Sequence, residues 1–300
     1  MENLRDFKQR MWAAHMAATV LLAAFLLGGR ASAQSLNWEG QTGVFVTPLA
    51  YTASSPKGSI GLPAVAFHFW NTGPVIGNFY TVSVTVGLLG RTEFGYTRNF
   101  HQAGSTPGLS PLWKDGFNIW HGKVNLVPEN MGKHNWVPAV SIGFVMRTQD
   151  PDGSAALAKP PRNTTNGDIY LVATKTVTQI KALPLVFSFG YKGTNAQLLG
   201  LAGNAPDFTG RAFGVAAFVL KGPGKSSIVL GGEALQQPHH VQNLLAADVP
   251  TTLVYAARVV PSSKTKLNLD FGVAQAAGRI MPGVNLQARH QFGMGVSYGF

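Results

Sequence analysis

The chain has 300 residues, 45% of them apolar and only 12% charged, with 35 Gly, 18 Pro, no Cys and a formal charge of +11. So little charge with so much glycine argues against a helical enzyme, in which Ala, Leu, Glu and Lys lead. The lack of Cys excludes a disulfide framework, and the basic balance favours anionic partners.

Residues 1–33 divide into a basic start with Arg5, Lys8 and Arg10, an apolar run over 17–27, and Ala31-Ser32-Ala33. These are the parts of a cleavable secretory signal, and the run is too short to cross a bilayer as a helix. Cleavage there removes four cations and two acids, so a mature chain beginning at Gln34 carries +9. Export excludes nucleic acid as a partner and leaves lipopolysaccharide or an acidic polysaccharide. No later stretch approaches about eighteen apolar residues, so no transmembrane helix is expected.

Residues 34–59 come next, and their place depends on the strands that follow. From Gly61 onward, runs of about ten residues of alternating polarity are separated by turn residues, the pattern of period-2 strands. Twelve strands are predicted, over 61–70, 80–89, 92–100, 116–127, 136–147, 168–177, 183–192, 211–221, 226–235, 252–260, 266–274 and 289–300. Short connections (89–91, 128–135, 178–182, 222–225, 261–265) alternate with long ones (101–115, 148–167, 193–210, 236–250, 275–288). Short turns on one side and long loops on the other mark a transmembrane antiparallel up-and-down β-barrel of the outer membrane, with the short turns in the periplasm. A thirteenth wall strand over 43–51 would make the count odd, so 34–59 is read as a periplasmic or lumen-entering segment, with 60–300 forming the barrel.

The faces agree with this. Val82, Val84, Val86 and Leu88 oppose Thr81, Ser83 and Thr85, and Leu267, Leu269, Phe271 and Val273 oppose Lys266, Asn268, Asp270 and Gly272. Lumen-lining candidates are Glu93, Lys123, Lys192, Glu233, Arg258, Lys266 and Asp270, with the three acids read as partners of Lys192, Arg258 and Lys266. A cation on the lipid face at the midplane would cost about 2–4 kcal/mol. Arg98 and Lys175 depart from the pattern and require either an interfacial position or a bulge. In the last strand Phe292, Met294, Val296, Tyr298 and Phe300 share the apolar face. Tyr298 and the terminal aromatic Phe300 look like the closing-strand signal that the barrel assembly machinery reads.

Gly40-Gln41-Thr42-Gly43 followed by Thr47-Pro48 resembles the N-terminal signature of YjbH-type outer-membrane proteins associated with exopolysaccharide, and of related smaller Gram-negative barrel families. The pair 123–129 and 136–143 is similar to a strand pair of those barrels. The resemblance implies the barrel fold and a link to glycan. It gives no functional residue to transfer, and the family positions are Gly40, Thr42, Gly43, Thr47 and Pro48.

Enzyme motifs fail on context. Gly295-Val296-Ser297-Tyr298-Gly299 matches a nucleophile pattern, but one residue follows it where a helix is needed. The 222–226 turn has Val219 where a phosphate loop needs its first Gly. His239 and His240 diverge in an extended chain and read as a loop pair, while His68 and His121 read as lumen lining. No catalytic, cofactor or metal residue is assigned. The expected function is a channel or export component for anionic or glycan material, carried out by a porin-like barrel. The alternatives are a non-conducting barrel whose loops bind a partner or surface polymer and, third, a lipid hydrolase.

Overall fold

A computed structural model describes residues 35–105, 116–149, 165–180, 183–201, 204–241, 244–248, 250–262, 264–275, 279–281, 284–285 and 290–299. Its strands are β1 (Ile60–Asn71), β2 (Gly77–Leu88), β3 (Thr92–Ala103), β4 (Phe117–Val127), β5 (Ala139–Gln149), β6 (Asn166–Val177), β7 (Leu185–Ala196), β8 (Asn204–Lys221) and β9 (Ser227–Leu235). They continue with β10 (His240–Val241), β11 (Leu244–Asp248), β12 (Thr252–Val260), β13 (Leu267–Gln275), β14 (Arg279–Met281), β15 (Val284–Asn285) and β16 (Gln291–Gly299).

Twelve of these close into one antiparallel barrel in the order β1-β16-β13-β12-β9-β8-β7-β6-β5-β4-β3-β2. The remaining four form two small two-stranded ribbons, β10 with β11 and β14 with β15. Closure runs from Ala64 opposite Gly299 to Asn71 opposite Phe292, so the last strand pairs with the first and no edge is left open. All twelve predicted wall strands are present. The largest boundary difference is at β8, which begins at Asn204, seven residues before the expected start.

The exterior is apolar. Phe94, Trp120, Phe144, Ile169, Leu171, Phe187, Phe189, Tyr255, Phe271 and Phe292 all point outward and are exposed. A continuous belt of that kind around a closed barrel is the surface that lipid covers. Among the described residues no helix is long and apolar enough to span a membrane; this chain crosses with strands. Arg98 and Lys175 do face outward, and pairing runs through both without a bulge. Each is held by polar neighbours instead: Arg98 Nη1 donates to Asn118 Oδ1 at 3.1 Å, and Lys175 lies 3.2 Å from Glu129.

The segment before β1 is not part of the wall. Residues 35–53 enter the barrel from the short-turn end, where the chain leaves beside the Leu89-Gly90 turn (Leu89 N to Ser59 O, 2.8 Å). Leu36, Trp38, Phe45, Val46 and Ala50 are buried inside the lumen. Residues 43–51 therefore form no thirteenth strand, and the even count stands. Residues 1–34 and Phe300 lie outside the described residues.

Candidate functional site

Within the plug, Asn37 organises the local fold. Its Oδ1 accepts the N–H groups of Glu39 (3.0 Å) and Gln41 (2.9 Å), and its Nδ2 donates to Val46 O (3.2 Å). Trp38 N donates to Phe45 O at 2.8 Å, which folds the two halves of the segment together. Gly40 at the tip has φ +86°, and a Cβ there would lie 2.4 Å from Thr97 Oγ1. Both its backbone conformation and its closeness to the wall demand glycine.

A loop inside a barrel has no neighbouring strand to satisfy its backbone, so side chains of the wall must do it. Glu93 of β3 accepts from Thr42 N (3.1 Å), Thr42 Oγ1 (2.6 Å) and Ala53 N (2.8 Å). Lys123 of β4 donates to Thr42 O and Leu49 O, each at 2.9 Å. Glu233 of β9 accepts three consecutive plug amides, Phe45 (3.0 Å), Val46 (3.1 Å) and Thr47 (2.7 Å). Arg258 of β12 donates to Gly43 O (3.0 Å) and Val44 O (2.8 Å). Nearer the short turns, Ala50 N donates to Thr174 Oγ1 (2.8 Å), and Ala50 O accepts from Asn125 (3.0 Å).

Apolar packing fills what remains. The Trp38 ring meets Trp70 edge-on at 5.0 Å and Phe45 meets it at 6.1 Å. Gly293, on the small-residue face of β16, makes room for this, because a Cβ there would come within 2.4 Å of the Phe45 ring. At the other mouth Leu198, Leu199 and Leu201 fold inward and are buried. Leu198 and Leu199 sit at φ +47° and +58°, a left-handed pair of the kind that costs roughly 1–2 kcal/mol per residue. Leu199 and the plug's Glu39 and Gln41 line a residual cavity of about 10 Å³. That is at the threshold for a single water, so this cavity has no room for a solute beside the plug tip.

All seven predicted lumen residues face inward, and five of them act together on the plug or beside it. Their pairing follows the expected one at Arg258–Asp270 and differs from it elsewhere. Glu93 pairs with Lys123 (3.0 Å), Arg258 with Asp270 (2.6 Å) and Lys192 with Asp168 (3.3 Å), while Glu233 binds plug amides and Lys266 Nζ has no hydrogen-bond partner among the described residues. A strand's sequence fixes the face of a residue but not which neighbouring strand brings an opposite charge to its height. Gly40, Thr42, Gly43, Thr47 and Pro48 all belong to the plug. Tyr298 faces outward opposite Val65, half-buried.

The reading of sequence missed Glu39, Arg147, Asp168 and Tyr170. Arg147 pairs with both Glu39 and Asp168 (2.9 Å to the latter), and Gln41 Nε2 donates to Tyr170 Oη at 2.9 Å. Arg147 shares its face with Ser141, Gly143 and Val145, and that parity was the available signal. Barrel, apolar belt and filled lumen together define a plugged outer-membrane β-barrel.

No family model matches the chain, and no curated protein matches it in sequence. Similar solved structures include the KdgM porin (9% identity, TM-score 0.44, covering 79% of this chain and 99% of that one). The NanC porin gives 9% identity, TM-score 0.43 and coverage of 79% and 100%. An outer-membrane channel from Pseudomonas putida F1 gives 10%, 0.42, and 83% and 97%. Likeness at that level carries nothing about cargo or activity.

Proposed function

We propose that this protein is an outer-membrane channel kept closed by its own N-terminal segment, and that anionic or glycan material passes when the segment moves. The supporting observation is that the wall is complete without the plug. Closure uses only β1 to β16, and Glu93–Lys123, Arg258–Asp270, Arg147–Asp168 and Lys192–Asp168 are pairs within the wall. Leaving the lumen therefore strands few charges, whereas breaking a buried ion pair costs about 3–5 kcal/mol. Cations outnumber acids on the inward face, which favours anions in a narrow low-dielectric pore. Lipopolysaccharide at the rim and the assembly machinery at Tyr298 and Phe300 complete the expected partners.

A second reading, a non-conducting barrel whose loops bind a partner or surface polymer, is favoured by the continuous packing of Trp38 and Phe45 onto Trp70. Proteoliposome swelling separates the two. A variant lacking residues 36–53 that still folds should admit gluconate faster than a cation of similar size, while the full chain admits neither. A folded deletion variant impermeable to both would establish the non-conducting barrel instead.

A further inference from the structure

At the long-loop end lies a second, separate feature. β8 pairs with β7 continuously down to Thr209 and, beyond a register break that leaves residues 205–208 unpaired, once more at Asn204, while its ladder with β9 stops at Phe213 opposite Leu235. The unpaired side of the β8 extension and the segment after β9 leave a cleft of about 440 Å³ between them, lined by Pro206, Asp207, Thr209, Arg211, Pro238 and His239. That volume lies within the range of small-molecule sites.

Arg211 is the distinctive group in it. Four of the other inward cations, Lys123, Arg147, Lys192 and Arg258, each hold a carboxylate, and Lys266, which does not, lies at the opposite, short-turn end. Among the described residues Arg211 holds none. Its Nη1 donates to the neighbouring Gly210 O at 3.0 Å, and its Nε, shielded from bulk water, has no acceptor. Thr209 Oγ1, two residues away on the same face of the strand, is likewise buried without a partner. An unmade hydrogen bond on a buried polar atom is costly, and two side by side at a ligand-sized cleft indicate a missing acceptor.

We propose that this cleft binds a carboxylate-bearing sugar. With Nη1 engaged, the edge of the guanidinium left over is the Nε side, which matches the two oxygens of a planar carboxylate in a bidentate pair. Asp207 supplies a carboxylate that accepts sugar hydroxyls and repels a second negative charge, which selects against dianions such as phosphate monoesters. Pro206 and Pro238 offer apolar ring faces to sugar C–H groups. The site does not rest on conduction: it serves a transporting barrel and a non-conducting one alike.

The test is titration of the full-length protein in detergent with glucuronate, with glucose as the neutral control and acetate as the carboxylate without hydroxyls, read by calorimetry. Glucuronate should bind, and Arg211→Gln should weaken it by about tenfold or more, the size expected for a lost charge-assisted bidentate pair. Asp207→Asn should weaken glucuronate while leaving acetate unchanged. The variants' heat-dependent gel mobility reports their folding, and a variant lacking the plug should keep the affinity. Glucuronate binding unchanged in folded Arg211→Gln would overturn the site. So would acetate binding as tightly as glucuronate, or no glucuronate binding to the parent chain.

Discussion

Substituting Glu233 by Gln probes the plug's attachment without touching its own sequence. The carboxylate accepts Phe45 N, Val46 N and Thr47 N at 3.0, 3.1 and 2.7 Å. Glutamine keeps one acceptor oxygen and turns the other position into a donor facing backbone N–H groups, so at least one plug amide loses its acceptor. A hydrogen bond to a charged group contributes about 1.5–3 kcal/mol, and an unsatisfied buried N–H costs about 1–3 kcal/mol. Against this, Glu233 has no ion-pair partner among the wall cations described, so removing its charge also removes a desolvation cost of the plugged state. The net loss is about 1–3 kcal/mol, which raises the population with the plug displaced by about 5- to 150-fold. Amide hydrogen exchange over residues 36–50 measures that population, with the strand amides as an internal reference. Plug exchange unchanged in a folded Glu233→Gln barrel would refute the role given to this carboxylate.

Other consequences are open to simpler assays. Gly40→Ala, which places a Cβ 2.4 Å from Thr97 Oγ1 at φ +86°, should destabilise the plug by about 2–4 kcal/mol and speed exchange across 36–50; parent-like exchange would mean that the tip is not seated against β3. Phe45→Ala should open a cavity beside Trp70 and Gly293 and cost about 3–5 kcal/mol of plug stability, read in the same experiment; a change below 1 kcal/mol would show that the aromatic packing does not hold the segment. The mature protein should fractionate with outer membranes and run faster unboiled than boiled, and recovery as a soluble monomer would contradict the lipid-facing belt. Deleting Phe300 should reduce assembled barrel without reducing synthesis, whereas an undiminished folded yield would remove it from the assembly signal.

The wall was legible because a half-buried strand writes its two environments in alternation. β2 and β13 show it plainly, with Thr81, Ser83 and Thr85 buried inside and Leu267, Leu269, Phe271 and Val273 on the outer face. β8 begins earlier than its alternation predicts, and Pro206 and Asp207 are tolerated in it because they lie in the register break between Thr209 and Asn204, where a proline loses no ladder bond. The plug's position was only half legible. Parity of strands excluded residues 43–51 from the wall, but their partners are distant in sequence, Gly43 and Val44 finding Arg258 more than 200 residues on (|i−j| of 215 and 214). Nothing local encodes such a contact. The same limit explains the mispaired charges, since Lys192 finds Asp168 across the β6–β7 ladder and not one of the acids expected from its face.

Single-channel recording in planar bilayers, comparing the full chain with a variant lacking residues 36–53, tests the plugged channel most directly. The full chain should be closed at rest with rare openings, and the variant should conduct steadily, with a reversal potential under a salt gradient that shows anion preference. A full chain that conducts steadily without the deletion would contradict closure by the plug, and a folded variant that remains silent would contradict the channel.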